Sequence, residues 1–316
     1  MRHTRVVALG GGHGLHASLS ALRHVTTELT AVVTVADNGG SSGRLREEFD
    51  VLPPGDLRMA LAALCGDDDW GRTWAELLQH RFAGSGQLRD HVVGNLLIVG
   101  LWEQLGDHVA ALDWVGRLLG AHGRVLPMSS TRLDLVAQVL GADPAHPAET
   151  ATVRGQVEVA TTPGRILEVA LDPPDATACG EAVEAVRAAE WVVLGPGSWF
   201  SSVIPHLLVP DLRLALTETP ARVVVVLNLT QDAGETDGYR AHDHLDVLHE
   251  HAPDLRIHTV LADRASVADP NRLEDYVASL GARLELTDVA RGPGSAQHDP
   301  SKLAAAYRAI LAGDHR

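Results

Sequence analysis

Four stretches of this chain are rich in Gly, Ser, Asn or Asp, in patterns that can hold an anion. The first is Gly10-Gly11-Gly12-His13-Gly14. Glycines let a backbone come close to a ligand, and the free N–H groups of a following helix attract negative charge. Leu15 stands where the third glycine of a GxGxxG fingerprint would fall, so the match is incomplete. The second stretch is Asp37-Asn38-Gly39-Gly40-Ser41-Ser42-Gly43-Arg44, with Arg46 just beyond. Its glycines and hydroxyls can form an anion nest, and its arginine can pair with a phosphate. Asp37 sits where a dinucleotide fold places its ribose-binding carboxylate. The third stretch, Gly195-Pro196-Gly197-Ser198-Trp199-Phe200-Ser201-Ser202, opens a short helix with hydroxyls in its first turn. The fourth runs from Asn228, Leu229, Thr230 and Gln231 to Gly234, Glu235, Thr236, Asp237, Gly238 and Tyr239. A polar loop of that length in a compact fold often has a function. Tyr239 can stack on a base or sugar ring.

Each stretch also has a plainer role, as a tight turn, a capped helix start or a solvated loop. Other residues can join the same site. Asp56 in Pro53-Pro54-Gly55-Asp56-Leu57-Arg58 reads as a helix cap, and Arg58 can reach a phosphate. Asn95 lies in an otherwise apolar helix and needs a partner, either a ligand or neighbouring backbone.

Other chemistries find less support. There are 17 histidines, with His13, His91, His242 and His244 the notable ones, yet no HExxH or comparable cluster, so no dedicated metal site is expected. No cofactor is required by these patterns. Mg²⁺ carried by a bound diphosphate fits better, because it needs only one or two carboxylates, Asp37 first among them. No GxSxG signature of a nucleophilic hydrolase occurs. The net charge of −15 and the lack of a basic stripe argue against nucleic acid as a partner. Lys302 is the only lysine, so a P-loop lysine is unavailable. Cys65 and Cys179 form neither a CxxC pair nor a disulfide framework, which suits a reducing compartment. The first apolar run is too short for a signal peptide and no segment is long enough to span a membrane, so a cytoplasmic protein without membrane insertion is expected.

The four loops must be positioned by strands. Arg5–Leu9, Thr30–Ala36, Trp191–Leu194, Arg222–Leu227, Ile257–Leu261 and Arg283–Leu286 have strand character and alternate with helical stretches. The helices are expected at about 15–24, 180–189, 242–251 and 272–280, with a last one from Pro300. This order predicts an α/β fold, a Rossmann-like doubly wound and mostly parallel sheet, in one domain over 1–316. Two insertions are expected. One is helical over about 53–122, and one is β-rich over about 124–171, with strands at Asp134–Val139, Gln156–Val159 and Ile166–Leu171. In such a sheet, ligands bind at the carboxyl ends of the strands.

Read together, VVALGGGHGL (6–15), VTVADNGGSSGRLR (33–46), PPGDLR (53–58), GRVLP (123–127), GPGSWFSSVIPHLLVPD (195–211) and GETDGY (234–239) resemble the bacterial gluconeogenesis-factor (YvcK-like) family of the CofD-like superfamily. The resemblance runs nearly the whole chain. It implies a Rossmann-like protein that binds UDP-sugars, notably UDP-N-acetylglucosamine, and directs carbon toward cell-wall precursors and cell shape. It leaves room for nucleotidyltransfer, a homo-oligomer and a metabolic enzyme as regulated partner. Three positions depart from the family pattern: Asn38 replaces a second Asp, Asp90 replaces a Gly, and Gln297 replaces an Arg before His298-Asp299. A second reading is the 2-phospho-L-lactate transferase of deazaflavin cofactor synthesis, although the HGL-x-VSPDLD-like segment of those enzymes is missing here. An NAD(P)-dependent oxidoreductase, suggested only by the glycine loop and Asp37, ranks last.

Overall fold

Valine-rich runs that are buried from end to end, such as Trp191–Leu194 and Val223–Val226, can only be the inner strands of a sheet covered on both faces. The computed structural model describes residues 2–229 and 235–313. Its strands, in chain order, are β1 Arg2–Gly10, β2 Thr26–Val33, β3 Arg124–Pro127, β4 Asp134–Leu140, β5 Thr150–Arg154, β6 Arg165–Asp172, β7 Trp191–Leu194, β8 Arg222–Val226, β9 Ile257–Asp263 and β10 Arg283–Thr287. Seven of them form one sheet in the order β10-β9-β8-β7-β1-β2-β3, and every neighbouring pair is parallel. The chain leaves β1 toward β2 and β3, then returns to the other side of β1 at β7. The topological switch point therefore lies between β1 and β7, where Val6 to Leu9 pair with Trp191 to Leu194.

Helices cover the sheet. Gly12–Leu22 buries Leu15, Leu19 and Leu22 and packs against Gly55–Ala63 and Pro300–Ala312. Helix boundaries follow local chemistry. The Asp68, Asp107, Asp269 and Asp299 side chains accept the first free N–H groups of four helices. Gly106 and Gly120 close Val93–Leu105 and His108–Leu119 in the left-handed region. Among the described residues, no helix is long and apolar enough to cross a membrane.

The parallel doubly wound sheet and the helical insertion follow the sequence pattern, but several local expectations need correction. Arg124–Pro127 does not begin the β-rich insertion. It is the edge strand of the main sheet and pairs with Thr30–Val33. The insertion sheet is the antiparallel set β5-β4-β6. Gln156–Val159, expected as a strand, is a short helix, Gln156–Ala160. Thr150–Arg154, to which the sequence pattern assigns no strand, is β5. Gly40–Phe49, whose start reads as a turn, is a helix. Thr30–Ala36 ends earlier, at Val33, and begins at Thr26. Thr230, Gln231 and Gly234 of the fourth stretch lie outside the described residues.

Candidate functional site

The loop after β1 and the loop after β7 meet at the switch point. A Cβ on Gly14 would lie 2.1 Å from the Pro196 carbonyl oxygen and 2.6 Å from the Gly197 Cα, so only glycine permits this approach. Asn228, at the end of β8, locks the second partner. Its Oδ1 accepts the Gly197 N–H at 2.9 Å and its Nδ2 donates to the Gly197 carbonyl at 2.9 Å. The Ser18 hydroxyl, one turn into the first helix, donates to the Gly195 carbonyl at 3.4 Å. Sequence, loop conformation and packing thus converge on one rigid junction of two glycine loops.

A cleft of about 660 Å³ opens there. Of the expected residues, Gly11, Gly12, His13, Gly14, Asp37, Asp56, Pro196, Gly197, Ser198, Ser201 and Asn228 line it. The cleft floor carries two carboxylates. Asp56 is not a cap of its own helix, because Pro54 holds that position and Asp56 lies in the first turn. Its carboxylate instead lies against the first loop, 2.5 Å from where a Gly11 Cβ would stand, and it accepts the Gly12 N–H. It therefore caps helix Gly12–Leu22 from a distance, in place of the side chain that Gly11 lacks. Asp37 accepts the Gly39 N–H at 2.9 Å. Gly55 makes its approach possible, since a Cβ there would stand 3.0 Å from an Asp37 oxygen and 2.3 Å from the Ser42 hydroxyl.

Burial, and then the negative charge of Asp37, push the Asp56 carboxyl up to about 7. Burial also raises Asp37, opposed by the Gly39 N–H, Ser42, Arg46 and Arg58. Arg58 donates to Gln79 Oε1 behind this floor, and burial lowers its guanidinium to about 10 despite Asp56. Asp37 and Asp56 thus place two carboxyls on the cleft floor whose ionised forms burial disfavours. Among the described residues, no group of three or more His, Cys, Asp or Glu side chains could hold a metal ion on its own.

The remaining expected residues have other places. Asn38 binds the insertion: its Nδ2 donates to Glu158 Oε2 at 2.7 Å and its Oδ1 accepts the Val157 N–H at 3.1 Å. An Asp at 38 would face Glu158 with like charge and lose the amide donor, which gives the Asn a structural reason. Gly39 and Gly40 begin helix Gly40–Phe49, so Ser41, Ser42 and Arg44 lie on that helix and not in an open nest. Ser41 accepts the Val92 N–H and the Asn95 amide, both at 3.2 Å, and so secures the helix that begins at Val93. Asn95 therefore has a side-chain partner inside the protein. Arg44 is exposed and donates to the Arg89 carbonyl at 2.8 Å, away from the cleft lining. Thr236 is buried and Asp237 is exposed, and neither lines the cleft. Tyr239 packs edge-on against Phe200 and His244 and borders a second cavity of about 430 Å³, which shares Asn228 and Leu229 with the first.

Several cleft residues carried little sequence signal. His16 faces the cleft one turn after His13, a three-residue spacing legible only once the helix start is known. Burial, then His13, Arg58 and Arg23, lower it. Gln156 arrives with the insertion helix and donates to the Ser201 carbonyl at 2.9 Å. That helix therefore ties the second loop to the third and walls one side of the cleft. Arg291, Ala296, Gln297 and His298 also line the cleft, and burial lowers His298 to about 4 against the pull of Asp263. Asp90, a glycine in the related pattern, has φ of +63°, a left-handed conformation that Asp tolerates better than most residues.

Residues 6–291 match the model of the CofD family, described as 2-phospho-L-lactate transferase. The chain is similar to a protein of Mycobacterium tuberculosis, 54% identical over 98% of this chain and 91% of the relative. It is 36% identical to a gluconeogenesis factor of Halalkalibacterium halodurans, across 100% of this chain and 98% of that one. It is 34% identical to a gluconeogenesis factor of Listeria monocytogenes, over 97% and 95%. A crystal structure of a UPF0052 family member from Bacillus halodurans superposes with a TM-score of 0.83 at 32% identity, covering 97% of this chain and 99% of that one.

Proposed function

The chain belongs to the gluconeogenesis-factor family within the CofD-like group, and from that premise we propose that it is a cytoplasmic receptor for UDP-N-acetylglucosamine that regulates carbon flow toward cell-wall precursors and cell shape. The observation that carries this reading is the contact of the two glycine loops at the switch point, Gly14 against Pro196 and Gly197. It leaves the start of helix Gly12–Leu22 and the Ser198–Ser202 turn facing one cleft, which suits a diphosphate. The nucleoside end enters the neighbouring aromatic-walled cavity at Tyr239, past Asn228 and Leu229. The −15 net charge makes an anionic ligand depend on local compensation.

Mg²⁺ fits this arrangement. Asp37 and Asp56 would hold it, and it would offset part of their charge and of the diphosphate's. The protein residues do the rest. With the Gly12 N–H held by Asp56, the next N–H groups of that first turn, at His13 and Gly14, meet the ligand, Asn228 keeps Gly197 in place, and Gln156 closes the cleft from the insertion side.

A thermal-unfolding screen tests the reading. With Mg²⁺ present, UDP-N-acetylglucosamine is expected to raise the melting temperature by several degrees, since a ligand at a hundredfold its Kd adds about 2.7 kcal/mol. Stabilisation by GTP or a deazaflavin alone would favour phosphotransfer. Stabilisation by NAD(P) alone would favour an oxidoreductase. Either result would overturn the proposal.

A further inference from the structure

A diphosphate in this cleft needs a cation from the protein, and the arginines near the glycine loops are committed elsewhere. Arg44 is bonded to the Arg89 carbonyl outside the cleft, Arg46 is paired with Asp134, and Arg58 is bonded to Gln79. Arg291 is the one arginine among the described residues that line the cleft, and no lysine lines it. Its side chain is exposed, and no carboxylate among the described residues pairs with it.

The segment that carries Arg291 is pinned at both ends. Asp263 Oδ2, at the end of β9, accepts the Val289 and Ala290 N–H groups at 2.9 and 3.1 Å. Ala290 bridges to His298, and the Lys302 ammonium donates to the Ala290 carbonyl at 2.8 Å. Within the loop, the Arg291 N–H donates to the Gln297 carbonyl at 2.9 Å. The Arg291 guanidinium also donates through Nη1 to Gln297 Oε1 at 2.9 Å. A neutral amide fixes one edge of the guanidinium without cancelling its charge. A carboxylate at 297 would cancel it, and an arginine there would repel it.

We propose that Arg291 is the phosphate-binding cation of this cleft, reaching the distal phosphate of a nucleoside diphosphate sugar from the segment before Pro300, and that Gln297 is its positioning residue. The assignment rests on the function proposed above. It replaces Arg44 as the residue that meets the ligand's charge.

Calorimetric titration of UDP-N-acetylglucosamine, with Mg²⁺, into the wild type and four variants at two salt concentrations tests it. Arg291→Ala is expected to bind about ten- to a hundredfold more weakly, the scale of a lost charged hydrogen bond, and with less dependence on salt. Arg291→Lys should fall between it and the wild type, because the charge stays and the forked geometry goes. Gln297→Ala should bind about three- to tenfold more weakly while keeping the salt dependence of the wild type, since the charge remains. Arg44→Ala should bind like the wild type. Unfolding curves recorded alongside separate binding from folding. Wild-type binding that is matched by folded Arg291→Ala overturns this assignment and leaves the cleft reading standing. If Arg291→Ala does not fold, wild-type affinity in Arg291→Lys overturns it equally. A wild type that binds no UDP-sugar overturns both.

Discussion

Asp56→Asn is expected to make the metal-free protein more stable at about pH 8.5 and to abolish most Mg²⁺-dependent ligand binding. Asp56 and Asp37 share the cleft floor, and burial with the Asp37 charge raises the Asp56 carboxyl to about 7. The sign follows from which state holds the proton. Between the usual carboxylate range and about pH 7, folded Asp56 keeps a proton that the unfolded chain releases, so the fold is favoured as pH falls. Above about 7 the proton is lost, and the full cost of an ionised carboxylate beside Asp37 is felt. Undiluted, a displacement of that size is worth roughly 4 kcal/mol. Solvent in the open cleft screens it, so a gain of about 1–2 kcal/mol is expected for the amide. The gain should fall to about half at about pH 5.5 and vanish only below the usual carboxylate range, where the unfolded chain is protonated as well. Binding moves the other way, because the amide cannot help hold a cation that bridges protein and diphosphate, and a loss of at least about tenfold is expected. Thermal unfolding at the two pH values, with titration in Mg²⁺, measures both. A variant less stable than wild type at the higher pH, or one of unchanged affinity, contradicts this account of the floor.

The other large effect is expected at Gly14. An alanine there places its methyl 2.1 Å from the Pro196 carbonyl oxygen and 2.5 Å from its carbon, and both are backbone atoms. The helix or the loop must move, and the loop is held by Asn228 on its far side. We expect a loss of about 3 kcal/mol or more in urea unfolding, comparable with severe overpacking of a core. Gly12→Ala is the contrast. Gly12 has φ of +54° and nothing within 4 Å of the place its methyl would take, so only backbone strain of about 1 kcal/mol is expected. If Gly14→Ala unfolds within about 0.5 kcal/mol of the wild type, the two loops do not form a rigid junction.

The long-range pattern of this fold was legible because burial dictates it. The strand at Trp191–Leu194 and the helix start at Pro300 follow directly from valine runs and from capped, proline-started helices. The first and third glycine loops were legible as one site for the same reason, since both end strands at the switch point. Short elements were not. Gly40-Ser41-Ser42-Gly43 has the composition of a turn, yet it starts a helix because Gly40 can take its φ of +47° and Leu45 finds a buried place. Gln156 to Val159 alternates polar and apolar residues over too few positions to separate strand from helix, and Asn38, far away in sequence, supplies its first cap. Arg291 and His16 carry no motif of their own. They become cleft residues only through the return of a loop pinned by Asp263 and the phase of helix Gly12–Leu22. Arg44 shows the converse, a residue beside the right motif whose helical position turns it toward Arg89.

A crystal structure of the protein with UDP-N-acetylglucosamine and Mg²⁺ shows whether the cleft between the glycine loops is the ligand site. The diphosphate is expected against the backbone N–H groups of His13 and Gly14 and the Ser198–Ser202 turn. The cation is expected at Asp37 and Asp56, Arg291 on the distal phosphate, and the uridine toward Tyr239. A ligand bound elsewhere, with the cleft between the two glycine loops left empty, would contradict this placement.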